Sequence, residues 1–124
     1  MNEPRKLLVV DDDVHIRRLL RLFLRNSGFE VHEAGTGEEA IKLAEKNDYD
    51  VILLDLILPY YGGFRLCQKF RRRPDGSRAH IVIMTGDDSV ETRATATECG
   101  ADDFLAKPFD AERVRELVTA VATR

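Results

Sequence analysis

Three consecutive aspartates, Asp11, Asp12 and Asp13, follow the apolar residues "LLVV" and precede an arginine-bearing apolar pattern, "VHIRRLL". Three adjacent carboxylates repel one another unless positive charge neutralises them. A cluster of carboxylate oxygens at the end of a strand suits a hard divalent cation such as Mg²⁺. The sequence therefore predicts a cation site that begins at this acidic run.

Further reactive side chains stand where other apolar runs end. Asp55 ends "DVILLD", Thr85 ends "HIVIMT", and Lys107 follows "DFLA". Each residue alone is a weak signal, because a strand-terminal aspartate also serves as a helix N-cap. Together they indicate that separate strands deliver an acid, a hydroxyl and an ammonium group to one place.

The elements that position these groups alternate strictly along the chain. Short apolar or β-branched runs predict five strands, whereas apolar residues at helical spacing predict five helices. The predicted strands cover 6–10, 29–34, 50–56, 80–85 and 103–106, and the predicted helices cover 13–26, 36–46, 64–72, 89–98 and 110–122. This alternation predicts an α/β fold, a doubly wound five-stranded parallel sheet with helices on both faces. Ligands of such sheets bind beyond the carboxyl ends of the strands.

Length, net charge and composition restrict the class of protein to which the chain can belong. The chain has 124 residues and a net charge of -3, so we expect a single domain over 1–124 that does not bind nucleic acid. Cys67 and Cys99 lack metal-ligand spacing and are predicted to be buried in a reduced, cytoplasmic protein. No apolar run reaches membrane-spanning length, and "MNEPRK" is too short and polar to precede a signal peptide.

The sequence resembles the receiver domain of bacterial two-component response regulators over essentially its whole length. The resemblance rests on "LLVVDDD", "DVILLDLILP", "IVIMTG" and "GADDFLAKPF", which occur in the family's order and at its usual separations. It implies a flavodoxin-like, or CheY-like, (βα)5 fold with strand order 2-1-3-4-5. It also implies a phosphoacceptor that catalyses only its own phosphorylation and dephosphorylation and is otherwise not an enzyme.

The resemblance assigns a role to each residue of the predicted metal site. Asp12 is expected to bind Mg²⁺ directly and Asp11 through water. Asp55 would be both a metal ligand and the nucleophile that becomes an aspartyl phosphate. The backbone carbonyl of Ile57 would be the remaining protein ligand.

Three further residues are assigned to the phosphoryl group and the switch. Lys107 would pair with phosphoryl oxygens, and Thr85 would donate its hydroxyl to one of them. Phe104 stands where the family has a switch aromatic that turns inward when the Thr moves; simple core packing is the alternative. Lys107-Pro108 is either a plain loop or, as the resemblance implies, a cis bond.

The resemblance also implies partners. A histidine kinase or histidine phosphotransfer protein would donate the phosphoryl group, and Leu22 on the first helix is either simple edge packing or part of the docking patch for that donor. The readout would be a downstream protein or a missing output domain, and a phosphorylation-dependent dimer is a further option within the family. Arg93, Asp102 and Asp103 fit the salt bridges of such a dimer, but Arg113 and Leu117 do not.

Alternatives remain open at this point. Asp11 and Asp13 match the Asp-x-Asp spacing of haloacid dehalogenase-type enzymes, although Asp13 fits better as a helix N-cap. A degenerate receiver acting as a constitutive interaction module is a second alternative. Arg71–Arg73 is expected to be a solvated helix end leading into a turn.

Two departures from the family pattern lie next to the predicted site. Gly62 stands where an aspartate usually precedes the glycine, and Ile57 stands where the family is often polar. The apolar Ile57 predicts a comparatively long-lived aspartyl phosphate.

Overall fold

The computed structural model describes residues 5–73 and 79–122, in which five strands alternate with five helices. The strands are β1 (Arg5–Val10), β2 (Phe29–Ala34), β3 (Val51–Asp55), β4 (His80–Thr85) and β5 (Asp103–Ala106). The helices are α1 (Val14–Phe23), α2 (Gly37–Lys46), α3 (Gly63–Arg71), α4 (Val90–Glu98) and α5 (Ala111–Ala122). The predicted α/β class is therefore confirmed.

All strand pairs are parallel, and the order across the sheet is β2-β1-β3-β4-β5, as the resemblance implied. Val10 lies opposite Leu54, so the residue after β1 lies level with the end of β3. Thr85 lies opposite Ala106, the last residue of β5. This register brings the carboxyl ends of four neighbouring strands to one edge of the sheet.

Two hydrophobic layers hold the helices against the sheet. Helices α1 and α5 cover one face, where Leu20 and Val114 pack among buried strand residues. Helices α2, α3 and α4 cover the other face through residues such as Ala40, Leu66 and Ala96. Every residue of β3 is buried, because the central strand of a doubly wound sheet is covered on both faces. Among the described residues, no helix has the length and apolar content needed to cross a membrane.

Side-chain caps set the beginnings of four helices. Asp13, Thr36, Ser89 and Asp110 each accept a backbone N–H from the first turn that follows them. A capping oxygen satisfies one of the N–H groups that a helix end leaves unpaired. The N-cap role predicted for Asp13 is confirmed. The predicted helices began one residue too early at these four sites because the cap itself was counted.

Arg71 corrects the expectation that Arg71–Arg73 is a solvated helix end. Its Nε donates to the carbonyl oxygen of Gly100 at 2.7 Å, and its Nη1 donates to that of Ala79 at 2.8 Å. Its Nη2 also pairs with Asp102. Arg71 therefore joins the end of α3 to the starts of β4 and β5; the predicted turn over 74–76 lies outside the described residues.

Gly100 makes this contact possible. Its φ of +99° lies in the left-handed region, and a Cβ built there would stand 2.5 Å from the Cγ of Arg71. Glycine alone adopts this conformation without a steric cost and leaves room for the arginine stem.

Candidate functional site

Four strand ends build the candidate site. Asp11 follows β1, Asp55 ends β3, Thr85 ends β4, and Lys107 follows β5. These residues, together with Asp12 and Ile57, line one cleft of about 430 Å³. All six residues predicted to bind the metal or the phosphoryl group therefore come together, whereas Phe104 lines a different cavity.

The acidic residues of the cleft differ in how their oxygens are used. Asp11 is fully buried: its Oδ1 accepts the backbone N–H of Asp13 at 2.9 Å, and its Oδ2 accepts from Lys107 Nζ at 3.0 Å. Asp12 is exposed, and no residue in the described parts of the chain donates a hydrogen bond to its carboxylate. Asp12 therefore has free oxygens to offer, while those of Asp11 are already engaged.

The cleft offers the donor set of a hard cation. One carboxylate oxygen each from Asp11, Asp12 and Asp55 can be chosen so that all lie within 4.8 Å of one another. Mg²⁺ is commonly held by one or two carboxylates and retains several waters. The three side chains fit that requirement, and Lys107 alone provides less positive charge than they carry.

Lys107 joins the acidic cluster to the sheet. Its Nζ lies 3.3 Å from Asp55 Oδ1, and its backbone N–H donates to the carbonyl of Thr85 at 2.8 Å. The bond between Lys107 and Pro108 is cis, so that prediction is confirmed and the plain-loop alternative is wrong. The ammonium group of Lys107 contacts the carboxylates of both Asp11 and Asp55.

Electrostatics distinguish Asp55 from an ordinary surface aspartate. Burial raises the pKa of its carboxyl above the usual value, and the neighbouring Asp11 carboxylate raises it further, while Lys107 opposes both effects. Burial alone would lower the pKa of Lys107, but the Asp11 and Asp55 carboxylates outweigh it and raise that pKa. Lys107 therefore remains a fixed positive charge beside the Asp55 oxygen.

Thr85 and Phe104 lie on the side of the sheet covered by α4. Thr85 is buried, and its Oγ1 accepts the backbone N–H of Asp87 at 3.0 Å. Phe104 is also buried, and the guanidinium carbon of Arg93 lies 4.5 Å from the centre of its ring. Two of the groups expected in dimer salt bridges have partners within the chain, since Arg93 pairs with Asp88 and Asp102 pairs with Arg71.

Sequence reasoning missed Arg17, which fixes the acidic loop. Its Nη1 donates to the backbone carbonyl of Asp11 at 2.7 Å, and its Nε pairs with Glu33 at 3.1 Å. Arg17 and Arg18 look alike in the sequence. Helical phase was the available signal, because Arg17 lies three residues before the buried Leu20 and shares its side of α1.

The loop after β3 brings α3 close to the site. A Cβ on Gly63 would stand 2.5 Å from the carbonyl oxygen of Asp55, so a residue with a side chain would push the helix away from β3. Ile57, in the same loop, is 76% exposed at the mouth of the cleft.

Comparisons with known proteins agree on one family. Residues 7–119 match the family described as the response regulator receiver domain. The transcriptional regulatory protein SrrA of Staphylococcus aureus is 40% identical over 119 residues, which are 96% of this chain and 48% of that protein. The chain thus spans about half the length of the curated relatives it matches.

Solved structures extend the similarity to the whole fold. A putative response regulator from Chloroflexus aurantiacus has 35% identity and a TM-score of 0.90, covering 98% of this chain and 100% of its own. The chemotaxis response regulator CheY4 of Vibrio cholerae has 31% identity and a TM-score of 0.89, covering 96% of this chain and 99% of its own. The architecture is therefore the CheY-like variant of the flavodoxin fold.

Proposed function

The chain belongs to the response regulator receiver domain family, and on that premise we propose that Asp55 accepts a phosphoryl group in a Mg²⁺-dependent reaction. The observation that carries this proposal is the convergence of Asp55, two further aspartates, Thr85 and Lys107 on one cleft. Receiver domains are phosphoacceptors rather than classical enzymes. The haloacid dehalogenase-type alternative receives no support, because the side chain of Asp13 caps α1.

The proposed metal site divides the acidic residues by their accessibility. Asp12 and Asp55 would bind Mg²⁺ directly, and Asp11 would act through water because both of its oxygens already accept hydrogen bonds. The carbonyl of Ile57 completes the proposed protein ligands. The bound cation would offset the negative charge on donor and acceptor as they approach each other.

The phosphoryl transfer itself uses the chain's own side chains. An Asp55 carboxylate oxygen forms a bond to phosphorus, while the bond from phosphorus to the donor's histidine nitrogen breaks and the histidine keeps that electron pair and takes up a proton. Lys107, 3.3 Å from Asp55 Oδ1, neutralises the charge that arrives with the phosphoryl oxygens. The Thr85 hydroxyl donates to one of these oxygens. Hydrolysis of the resulting acyl phosphate by water returns the carboxylate and releases inorganic phosphate.

The proposed partners follow from the family. A histidine kinase or a histidine phosphotransfer protein would supply the phosphoryl group, and a cytoplasmic location is part of this proposal. Because the chain spans about half of its curated relatives, the readout would be an output domain or a separate downstream protein. A phosphorylation-dependent dimer remains an expectation that the internal pairing of Arg93 and Asp102 does not favour.

The direct test measures uptake of phosphate from a small phosphodonor with and without Mg²⁺. We expect the wild type to take up at most one phosphoryl group per chain and Asp55→Asn to take up none, because the amide keeps the shape without the nucleophile. Asp12→Ala should weaken Mg²⁺ binding severely, whereas Asp48→Asn, an exposed aspartate outside the cleft, should behave like the wild type. Acid-labile phosphate on the Asp55→Asn protein would overturn the assignment, and repeated turnover of the donor by the wild type would instead indicate a hydrolase.

A further inference from the structure

Helix α4 buries little apolar surface, and a network of polar contacts surrounds its first turn. Only Ala96 is buried among its nine residues, Val90–Glu98, so an apolar stripe contributes little to its position. The Asp87 carboxylate accepts the backbone N–H of Ser89 at 3.0 Å and the hydroxyl of Thr92 at 2.7 Å. The Ser89 hydroxyl oxygen accepts the N–H of Thr92 at 3.1 Å. These bonds join the start of α4 to the segment 86–89.

The same segment sets the orientation of Thr85. The backbone N–H of Asp87 donates to Thr85 Oγ1 at 3.0 Å, and Thr85 lines the acidic cleft. A hydroxyl that accepts one hydrogen bond still has its own proton to donate. The Asp87 N–H thus holds the hydroxyl in one orientation and leaves its proton available to an oxygen in the cleft.

Arg93 connects this segment to β5. Its Nε pairs with Asp88 at 2.5 Å, one residue after Asp87, and its guanidinium lies over the ring of Phe104. Phe104 belongs to β5, three residues before Lys107. One side chain on α4 therefore contacts both the segment that orients Thr85 and the strand that leads to Lys107.

We propose that Arg93 is a positioning residue: its contact with the Phe104 ring fixes the start of α4, with the Asp88 ion pair as a weaker second contact, and this keeps the segment 86–89 in the conformation that orients Thr85 toward the phosphoryl group. This inference rests on the proposed function, because the orientation of Thr85 affects function only when an oxygen in the cleft accepts a hydrogen bond from its hydroxyl. By linkage, a ligand that needs the oriented Thr85 also strengthens the contacts of Arg93 and so biases the position of α4.

The contributions of the two contacts are unequal. The side chains of Arg93 and Asp88 are each 53% exposed, so their ion pair is weak in water. The ring of Phe104 is 8% exposed, so the guanidinium covers a largely buried aromatic face. A cation–π contact at such a site corresponds to an effect of about two- to fivefold on an equilibrium constant. We therefore expect the Phe104 contact to contribute more than the Asp88 contact.

The first measurement is independent of phosphate chemistry. Amide hydrogen exchange of Asp87 is compared between the wild type and Arg93→Gln without metal or phosphodonor. We expect exchange of this amide to rise about two- to fivefold in Arg93→Gln, with little change in Arg93→Lys, which keeps the cation over the ring. An unchanged Asp87 amide in Arg93→Gln would overturn the inference, whatever the fate of the proposed function.

The second measurement separates positioning from general damage. In Arg93→Gln we expect the affinity for beryllofluoride, measured with saturating Mg²⁺, to fall about two- to fivefold while the Mg²⁺ affinity stays unchanged, since the metal ligands do not include Thr85. Asp88→Asn should have a smaller effect, and Arg113→Gln, an exposed arginine on α5, should have none. Once Phe104→Leu has removed the ring, Arg93→Gln should add little.

Three results would contradict the proposal at this stage. They are an unchanged beryllofluoride affinity in Arg93→Gln, an equal loss of Mg²⁺ and beryllofluoride affinity, and full additivity of Arg93→Gln with Phe104→Leu. If the wild type binds no beryllofluoride at all, the proposed function itself fails. The Asp87 exchange result then still decides whether Arg93 positions the segment.

Discussion

A single exposed side chain, Ile57, is expected to set how long the phosphorylated state lasts. It is 76% exposed at the mouth of the cleft, two residues after the proposed nucleophile. Water must reach the phosphorus opposite the Asp55 oxygen, and a branched apolar group neither binds nor orients that water. We expect Ile57→Asn to lose phosphate faster than the wild type once the small donor is removed with Mg²⁺ present.

Asp87 is a nearby acidic residue whose carboxylate is already occupied by hydrogen bonds. A free carboxylate near the cleft could bind the attacking water and oppose the effect of Ile57. The donors Ser89 and Thr92 engage both Asp87 oxygens and, with Thr92 as the larger cause, hold the pKa of Asp87 below its ordinary value. Ile57→Val, which keeps a branched apolar group, is the matched control and should decay like the wild type. Equal or slower decay of the Ile57→Asn protein would rule out the shielding role.

At the scale of the elements, apolar periodicity predicted β2, β4 and β5 at their observed bounds. Helix α1 ends at Phe23, three residues before the predicted end at 26, although the apolar pattern continues through Leu24. Leu24 is buried while it serves as the C-cap, and Asn26 has a φ of +66°. Periodicity reports which side chains face the core, and a C-cap residue can do so although its own backbone has left the helical conformation.

Arg71 shows an element contact that periodicity cannot predict, because its partners lie far along the chain. We expect Arg71→Met to lower the free energy of unfolding by about 2 kcal/mol, since two backbone carbonyls lose their donor and each orphaned group costs about 1–3 kcal/mol before solvent relaxation. Denaturant unfolding measures the change. Arg72→Met, at the exposed neighbouring position, is the control and should change stability by less than about 0.5 kcal/mol. If the two variants lose equal free energy of unfolding, the hydrogen bonds of Arg71 do not contribute specifically to stability.

An exposed surface of α1 is a candidate docking site for the proposed phosphodonor. Leu22 is 54% exposed beside Arg18, and both line a shallow cleft of about 410 Å³ with Phe29. The alternative is simple edge packing. If Leu22 belongs to the docking patch, Leu22→Glu slows transfer from the partner protein and leaves phosphorylation by a small donor intact. A parallel fall in both rates would assign Leu22 to packing.

For the molecule as a whole, the cleft was predictable because parallel strands carry their carboxyl ends to one edge. Asp11, Asp55, Thr85 and Lys107 are far apart in sequence, but alternation alone was enough to bring them together. The contacts of Arg17 and of Arg93, the proposed positioning residue, were not predictable in the same way. Arg17 and Arg93 act through a backbone carbonyl and an aromatic ring whose positions only the packed fold defines.

The ionised Asp55 carboxylate is expected to lower the stability of the whole domain. Burial and the nearby Asp11 carboxylate raise the pKa of Asp55, so the folded state binds a proton there more tightly than the unfolded state does. Stability at this group is therefore lost as pH rises through the folded pKa and regained as pH falls toward the ordinary aspartate value of about 3.9. Metal-free protein at neutral pH should carry this penalty.

Asp55→Asn removes the penalty together with the proposed function. In metal-free buffer at pH 7 we expect the free energy of unfolding of Asp55→Asn to exceed that of the wild type by on the order of 1 kcal/mol. The variant should therefore unfold at a higher temperature. The difference should shrink as the pH is lowered toward 4. Saturating Mg²⁺ should reduce or reverse this difference in stability between the variant and the wild type. A ligand at 100 times its Kd stabilises the wild type by about 2.7 kcal/mol, whereas the variant lacks one carboxylate ligand. The control Asp48→Asn should have the stability of the wild type under all of these conditions. If Asp55→Asn is less stable than the wild type without metal, or if the difference in stability between them does not depend on pH, Lys107 already balances the charge of the cluster.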